Sequence, residues 1–351
     1  MKVLLNSFVP FALAHGGAQI QINSTRTALE DAGIEAEPLR WWDENQRGDL
    51  IHFFGVPTNE YLRIAQTAKI PVVLTQLFTE TCNRSDARLR RQGFFIKTAL
   101  ALPFAHGIKQ QLTWNIYRNA DHNVVGLEAE RHVLQTVYGV PSEIISVVPL
   151  GLSENYLRAG KGSRNEEHLI CTGTITERKN SVELAEMARA AETPILFVGK
   201  PYSETDSYWQ HFKNLVDGKF VKHHPFVADE KEMILLLQRS RGFVLMSRYE
   251  NWCLSAHEAV ACGLPILVQD QKWSRERFGN QACYFQTIGF SRGNVAILKK
   301  FWNDAPALSA PQIKLHSWNE VAAQLKSVYE KVLSGGRSSE ILVGGRSSTT
   351  P

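Results

Sequence analysis

The stretch GFVLMSRYENWCLSAHEAVACGLPILV, residues 242–268, contains two short apolar runs separated by a loop and an amphipathic segment. The runs Gly242–Met246 and Ile266–Val268 carry no charged side chain, which predicts two fully buried strands. Between them, Ser255–Ala261 has the spacing of a helix. A buried strand, a helix and a second buried strand in this order predict a parallel βαβ unit of an α/β fold.

The same alternation of apolar strands and amphipathic helices recurs along the chain in two successive runs. Because the predicted strands are almost wholly apolar, we expect parallel sheets covered by helices on both faces. We therefore predict an α/β protein with two Rossmann-like domains. The other predicted strands are Val3–Leu5, Leu50–Phe54, Val72–Thr75, Asn123–Val125, Ile144–Val148, His168–Thr172 and Ile195–Val198. The other predicted helices are Ala18–Ala32, ended by Gly33, and Val182–Ala191, Lys231–Gln238 and Trp318–Leu333.

The domain boundaries follow from changes in composition. Residues 153–166 are rich in Gly, Ser, Asn and charge, which predicts a linker between a first domain, 1–152, and a second domain, 167–316. The last helix follows over 317–333. Residues 334–351 contain the pentapeptide GGRSS twice, and this composition predicts a disordered tail.

Composition excludes several classes of protein. The 351 residues carry a net charge of +4, which is too mild to indicate a nucleic-acid partner. The five cysteines are widely spaced without a C-x-x-C pair, so we predict neither a disulfide framework nor a zinc site. The same pattern predicts a reducing, cytoplasmic location. No apolar run approaches the roughly 18 residues of a membrane span.

One basic segment stands out. Residues 84–118 hold seven Lys and Arg against Asp86 alone, interleaved with apolar side chains such as Phe94 and Phe95. Such a surface is typical of peripheral contact with anionic lipid at the inner face of a membrane. The alternative is an ordinary helix whose apolar face is core and whose charges are solvated.

Two glycine-containing turns are candidates for binding phosphate. Gly16 and Gly17 precede a predicted helix, whose N-terminus favours an anion, although a plain strand–helix turn would look the same. The second turn, Gly173-Thr174-Ile175-Thr176-Glu177-Arg178-Lys179-Asn180, follows the first strand of the second domain. Its adjacent cations, Arg178 and Lys179, suit a diphosphate, the alternative being a solvated basic turn.

The segment Arg248–Pro265 carries the most specific pattern. Glu250 and Glu258 lie eight residues apart and bracket a loop and the start of a helix, where they could accept hydrogen bonds from hydroxyl-rich ligands. The amides of Cys253 to Ser255 would lie at that helix N-terminus, where phosphate binds.

This segment resembles the E-x7-E signature of retaining glycosyltransferase family 4, and the order of all three motifs is similar to that family over residues 1–333. The resemblance implies the GT-B fold, with two Rossmann-like domains facing across a cleft and the last helix, 317–333, crossing back onto the first domain. Five positions depart from the usual pattern. Thr174 stands where many members have Arg, and Asn251 and Cys253 replace two glycines. Leu77-Phe78 stand where many members have His-Asp, which leaves His15 and His106 as candidate histidines at the sugar.

The resemblance also implies roles for individual residues. Glu250, Lys179 and Arg178 are the candidate catalytic residues, with Glu250 facing the transferred sugar and Lys179 neutralising the phosphates. Glu258 would hold the donor ribose, and Val227 would lie beside the base. The candidate donor-binding residues are Gly16, Gly17, Gly173, Thr174, Val227, Asn251, Cys253, Leu254, Ser255 and Glu258.

The function implied is transfer of a hexose-type sugar, with retention, from a UDP- or GDP-linked donor to a glycan or lipid-linked acceptor. Synthesis of cell-surface polysaccharide or lipopolysaccharide would use such a step. No Asp-x-Asp occurs in the chain, so we predict neither a metal ion nor any other cofactor. Two alternatives stay open: a catalytically impaired scaffold that binds nucleotide sugar, and a nucleotide-sugar epimerase of the same fold.

Overall fold

The computed structural model of the chain describes residues 1–8, 11, 16–76, 80–101 and 113–343. The chain divides into two compact units. The first consists of Met1–Pro10, Ile20–Pro149 and Trp318–Pro351, and the second of Phe11–Gln19 and Leu150–Ser317. Within the described part of the chain, no helix combines the length and the apolar character that a membrane span requires.

The first unit is built on a six-stranded parallel sheet with the order β2-β1-β3-β4-β5-β6. Its strands are Lys2–Ser7 (β1), Glu35–Pro38 (β2), Leu50–Phe54 (β3), Val72–Thr75 (β4), His122–Val125 (β5) and Ile145–Val147 (β6). All five residues of β3 and all four of β4 are buried, which explains why these strands read as continuous apolar runs.

Helices cover both faces of this sheet. They are Gly17–Asp31 (α1), Asn59–Thr67 (α2), Asp86–Ala101 (α3), Ile116–Asn119 (α4), Glu128–Tyr138 (α5) and the C-terminal helix, numbered α13 below. Gly33 follows α1 with φ +76°, as its predicted role at the helix end requires. Apolar residues of α2, α3 and α5 share one core cluster with the sheet, and those of α1 share a second cluster.

The C-terminal helix belongs to the first unit by its packing. It runs from Trp318 to Val343, and Val321, Leu325 and Tyr329 are buried in the core cluster shared with β1 and β3. The helix continues past residue 334, where we predicted disorder to begin, because a nucleated helix gains one hydrogen bond for each residue that it adds. Residues 344–351 lie outside the described part of the chain.

The second unit has its own six-stranded parallel sheet, with the order β12-β11-β10-β7-β8-β9. Its strands are Leu169–Thr172 (β7), Ile195–Val198 (β8), Val221–His224 (β9), Phe243–Leu245 (β10), Ile266–Gln269 (β11) and Cys283–Phe285 (β12). Its helices are Glu154–Ala159 (α6), Ser181–Ala190 (α7), Ser207–Leu215 (α8), Glu230–Arg239 (α9), Leu254–Ala261 (α10), Lys272–Phe278 (α11) and Arg292–Asp304 (α12). The C-terminal helix of the first unit, Trp318–Val343, is α13.

The two parallel sheets confirm the α/β prediction of two Rossmann-like halves, but the segment 153–166 is not a free linker. It contains α6, whose Tyr156 is buried, and it belongs to the second unit. Its polar groups are used in packing: the Arg164 side chain donates to the carbonyl oxygens of Gly263 and Leu308. A polar composition therefore reflects side chains that bind backbone groups of neighbouring elements rather than an absence of structure.

Candidate functional site

The two most distinctive motifs lie at one edge of the second unit's sheet. The segment 173–180 follows β7, and the segment 246–253 follows β10, which is hydrogen-bonded to β7 in parallel. Because the carboxyl ends of parallel strands meet at the same edge of a sheet, the two loops are neighbours, as expected for a ligand site of an open α/β sheet.

Gly173 and Gly199 allow the ends of β7 and β8 to approach closely. Their φ angles are +143° and +158°, and a Cβ at Gly199 would lie 1.9 Å from the carbonyl oxygen of Gly173. A Cβ on Gly173 would lie 3.5 Å from Cε of Lys179. The lysine stem thus lies beside the glycine backbone, which leaves the cation near the backbone of the turn.

Glu250 joins the two loops through two cations. Its Oε1 accepts from Nη1 of Arg178 at 2.9 Å and from Nζ of Lys179 at 2.5 Å. The side chain of Glu250 is 10% exposed and that of Lys179 12%. Burial by itself raises the pKa of the Glu250 carboxyl, but the charges of Lys179 and Arg178 outweigh it and hold the pKa below its ordinary value. The candidate catalytic residues Glu250, Lys179 and Arg178 therefore form one charged cluster with a net positive charge.

Asn180 holds this cluster in place. It ends the candidate phosphate-binding turn but was not among the predicted site residues. It is fully buried with φ +51°, a left-handed conformation that Asn tolerates better than most residues. Its Nδ2 donates to the carbonyl oxygen of Met246 at 2.9 Å, and its Oδ1 accepts from Nε of Arg248 at 2.9 Å. An Asn directly before an amphipathic helix was the available sequence signal.

The loop after β10 ends in a second left-handed residue. Cys253, with φ +62°, is the N-cap of α10, and its side chain caps no amide. The N–H groups at the start of a helix have no intrahelical partner, so those of Leu254 and Ser255 remain available for an anion. Burial raises the pKa of the Cys253 thiol to about 11, so the thiol is protonated at neutral pH and is no nucleophile.

Glu258 lies one turn further along α10. No hydrogen bond to its carboxylate is present among the described residues. Burial raises the pKa of Glu258 to about 7, and the negative charge of Glu230 contributes to the same shift. Glu230 itself accepts from Ser153 and Asn155, so it is held in place by other donors. An acceptor without a protein donor is what a ligand hydroxyl requires.

Three side chains pack together beside this loop, and none of them is among the predicted site residues. The rings of Trp252 and His257 stack with centroids 4.8 Å apart, and the guanidinium of Arg277 lies 4.0 Å from the Trp252 ring centroid. Nδ1 of His257 lies 3.0 Å from the carbonyl oxygen of Cys253. Burial lowers the pKa of His257 to about 3, so the imidazole is neutral. This packing holds the left-handed backbone at Cys253.

The remaining predicted site residues are placed as follows. Gly16 belongs to the second unit and has φ +133°. A Cβ on Gly16 would lie 3.9 Å from Oγ1 of Thr174, so the glycine turn at Gly16 lies close to the turn 173–180. Gly17 begins α1, and Val227 is buried between β9 and α9. Asn251 lies between Glu250 and the stacked Trp252. His15, His106 and Leu77-Phe78 lie outside the described residues. The ligand roles of all these residues stay predictions.

Part of the chain is similar to known proteins. Residues 154–286, which lie within the second unit, match the family Glycosyl transferases group 1. O-antigen chain mannosyltransferase B from Escherichia coli is 25% identical over 174 residues, which is 46% of this chain and 45% of that protein. The alignment thus spans about half the length of the curated relative.

Two solved structures share the fold over nearly the whole chain. Sucrose-phosphate synthase from Thermosynechococcus elongatus is 16% identical with a TM-score of 0.68, covering 95% of this chain and 99% of that one. Anabaena HepE in complex with UDP-glucose is 15% identical with a TM-score of 0.61, covering 96% and 100%. At these identities the likeness establishes the fold alone. The fold is GT-B, with two Rossmann-like six-stranded parallel sheets.

Proposed function

We propose that this chain is a retaining hexosyltransferase of family 4 that uses a nucleoside-diphosphate sugar. The observation that carries this proposal is the meeting of Lys179 and Arg178 on Glu250, beside the free amides that begin α10. This cluster lies within the residues that match Glycosyl transferases group 1. Two cations and a helix N-terminus together form a site for a diphosphate.

The charges match the chemistry of transfer. When the bond between the anomeric carbon and the phosphate oxygen breaks, negative charge grows on the leaving diphosphate, and Lys179 and Arg178 stabilise it. The acceptor oxygen bonds to the same face of the sugar, and its proton passes to the departing phosphate oxygen. Glu250 orients both cations and accepts from sugar hydroxyls, while Glu258 accepts from the ribose. In this proposal no metal ion is needed at the diphosphate.

A UDP-linked hexose is the donor we test first, because a structure of similar fold, HepE, is described with UDP-glucose. The similarity to an O-antigen mannosyltransferase supports an acceptor that is a glycan or a lipid-linked glycan of the cell surface, and keeps GDP-linked mannose as the second donor. Both assignments extend to this chain only as part of the proposal.

Helix α3 supports a peripheral membrane contact for a lipid-linked acceptor. Leu89, Gly93 and Ile96 are buried on one side of this helix. The opposite side exposes Phe94 (74%) and Phe95 (63%), together with a group of cations: Arg88, Arg90, Arg91 and Lys97. Exposed phenylalanines within a cationic surface suit the boundary of an anionic leaflet.

The test is a thermal-shift screen of UDP, GDP, ADP, CMP and their sugar conjugates, with and without EDTA. A ligand at 100-fold excess over its dissociation constant stabilises the folded protein by about 2.7 kcal/mol. We expect one nucleoside diphosphate and its sugar conjugate to raise the melting temperature, with no loss in EDTA. Glu258→Ala should abolish the shift, whereas Glu232→Ala, at an exposed site on α9, should preserve it.

Turnover then separates the alternatives. Transfer to a glycan acceptor with a product of unchanged anomeric configuration by NMR supports the proposal. Consumption of the donor without an acceptor indicates an epimerase. Donor binding without any reaction indicates a sugar-nucleotide scaffold, and absence of nucleotide binding contradicts all three readings.

A further inference from the structure

Two adjacent tryptophans of the first unit are exposed to solvent. Trp42 is 96% exposed and Trp41 59%, in the loop that joins β2 to β3. Leaving large apolar rings in water is unfavourable, and tryptophan is enriched where a protein binds a partner or ligand. Exposure this large in a single pair of rings therefore indicates a binding surface.

The loop that carries these rings is held by polar contacts. Arg40 donates from Nε to Asp43 at 2.9 Å and from Nη1 to Glu37 at 2.8 Å. Gln46 closes the loop: its Oε1 accepts from the Arg40 amide at 2.7 Å, and its Nε2 donates to Glu37 at 2.9 Å. Hydrogen bonds from Gln46, Lys2 and Arg40 hold the pKa of Glu37 at about 2, so this carboxylate is charged under all ordinary conditions.

Both ends of the loop are fixed to the sheet. The Leu39 amide donates to the carbonyl oxygen of Leu5 at 2.8 Å, and the Asp49 amide donates to that of Lys2 at 2.8 Å. A Cβ on Gly48 would lie 2.5 Å from Cγ of Leu4, so the chain lies tightly against β1 at this point. A loop fixed in this way presents Trp41 and Trp42 with little entropy left to lose on binding.

The position and charge of the loop indicate its ligand. The loop follows the carboxyl end of β2. In open α/β folds, ligands bind outside the carboxyl ends of the parallel strands. Between residues 37 and 48 there are two arginines and three carboxylates, so the loop is not cationic. An anionic bilayer is therefore a poor match for this surface, unlike that of α3.

We propose that Trp41 and Trp42 bind the glycan part of the acceptor. The apolar C–H faces of pyranose rings would stack on the indole rings, which offer a large rigid apolar surface. The exposed polar side chains of Glu44, Asn45 and Arg47 beside them offer donors and acceptors to the sugar hydroxyls. The inference rests on the proposed function, and it assigns the acceptor a glycan chain that extends over this loop.

The experiment measures binding of the full chain to a printed array of bacterial polysaccharides and oligosaccharides containing mannose, glucose, galactose or N-acetylhexosamine. We expect the wild type to retain a defined group of glycans. Trp42→Ala and Trp41→Ala should weaken this retention at least tenfold, or about 1.4 kcal/mol. Phe290→Ala, which removes a ring that is 50% exposed in the second unit, should have no effect. Arg40→Ala keeps both rings and loosens the loop, and should weaken retention to a smaller extent.

The nucleotide-induced thermal shift, measured on the same proteins, separates this inference from the proposed function. If the nucleotide still stabilises every variant and the tryptophan variants retain glycans as the wild type does, the inference is wrong while the donor site stands. Absence of glycan retention by the wild type, with nucleotide binding intact, also overturns it. Flotation of the wild type with phosphatidylcholine–phosphatidylglycerol vesicles that is lost in Trp42→Ala would instead assign the loop to a membrane.

Discussion

Nζ of Lys179 lies 2.5 Å from Oε1 of Glu250, a contact between residues 71 positions apart in the chain. The contact links the loop after β7 to the loop after β10, and Arg178 reaches the same oxygen. A ligand anion that enters this site therefore meets cations that are already oriented by a buried carboxylate. Such preorganisation is what electrostatic stabilisation of a leaving group requires.

Replacing Lys179 with alanine removes one of the two cations and leaves Arg178 paired with Glu250. We expect kcat to fall by about 10²–10³-fold, the usual effect of removing one electrostatic donor from a transition state. Steady-state release of the nucleoside diphosphate measures the change. Lys231→Ala, at an exposed lysine of α9, is the matched control and should leave kcat unchanged. Equal rates for the two variants would remove Lys179 from the mechanism.

Cys253 tests whether backbone geometry or side-chain chemistry matters in the loop. Its φ of +62° strains any residue with a Cβ, whereas glycine adopts this conformation freely. We expect Cys253→Gly to be more stable than Cys253→Ala by about 1 kcal/mol, because both variants lose the buried thiol and only alanine keeps the strain. Thermal unfolding of the two variants measures the difference. A more stable alanine variant would show that the packing around Trp252 sets this loop without conformational strain.

The sequence predicted most of the strands because most of them lie inside a parallel sheet. Strands such as β3 and β4 are buried on both faces and read as apolar runs. The strands that escaped prediction, β2, β9 and β12, all lie at sheet edges. Two of them carry polar residues, since β2 reads Glu-Ala-Glu-Pro and β9 reads Val-Lys-His-His, and β12 is only three residues long. Their pattern does not differ from that of a loop.

The sequence identified the charged side chains that meet between the two loops, and it missed the features that depend on backbone conformation. Glu250, Lys179 and Arg178 meet as charged side chains of recognisable motifs. The left-handed backbone at Cys253 is marked by no glycine in this chain, and the one signal for it was that Cys253 stands where the E-x7-E pattern usually has glycine. Trp252 and His257 lie five positions apart in one motif, but only the fold shows that the two rings stack.

Glu258 should make the stability of the protein depend on pH. Burial raises the pKa of Glu258 from 4.5 to about 7, so between these values the unfolded chain binds fewer protons, and stability falls as pH rises. Glu258→Gln is neutral throughout, so its melting temperature should match that of the wild type near pH 5 and exceed it near pH 8. Glu232→Gln, at an exposed site, should show no such divergence. Parallel curves for Glu258→Gln and the wild type would contradict a carboxyl whose pKa is raised in the folded protein.

His52 and Tyr329 join the C-terminal helix to the centre of the first unit's sheet. Both are fully buried, with Nδ1 of His52 2.6 Å from the Tyr329 hydroxyl and Nε2 2.6 Å from Oγ1 of Thr75. Tyr329→Phe leaves one ring nitrogen without a partner, so we expect a loss of about 1–3 kcal/mol in unfolding free energy by denaturant titration. Tyr284→Phe removes the hydrogen bonds of a partly exposed hydroxyl to the carbonyl oxygens of Gly279 and Ser274, and it should cost less.

Burial also lowers the pKa of His52 to about 3, against 6.5 for an ordinary histidine. Below pH 6.5 the unfolded chain therefore binds a proton that the folded chain does not, and stability is lost as pH falls from 6.5 toward 3. His52→Gln, which cannot ionise, should lose this part of the acid sensitivity even though it lowers stability at neutral pH. Equal losses of stability by the variant and the wild type between about pH 6.5 and pH 4 would rule out a neutral buried His52. The Tyr329 hydroxyl would then contact a protonated imidazole.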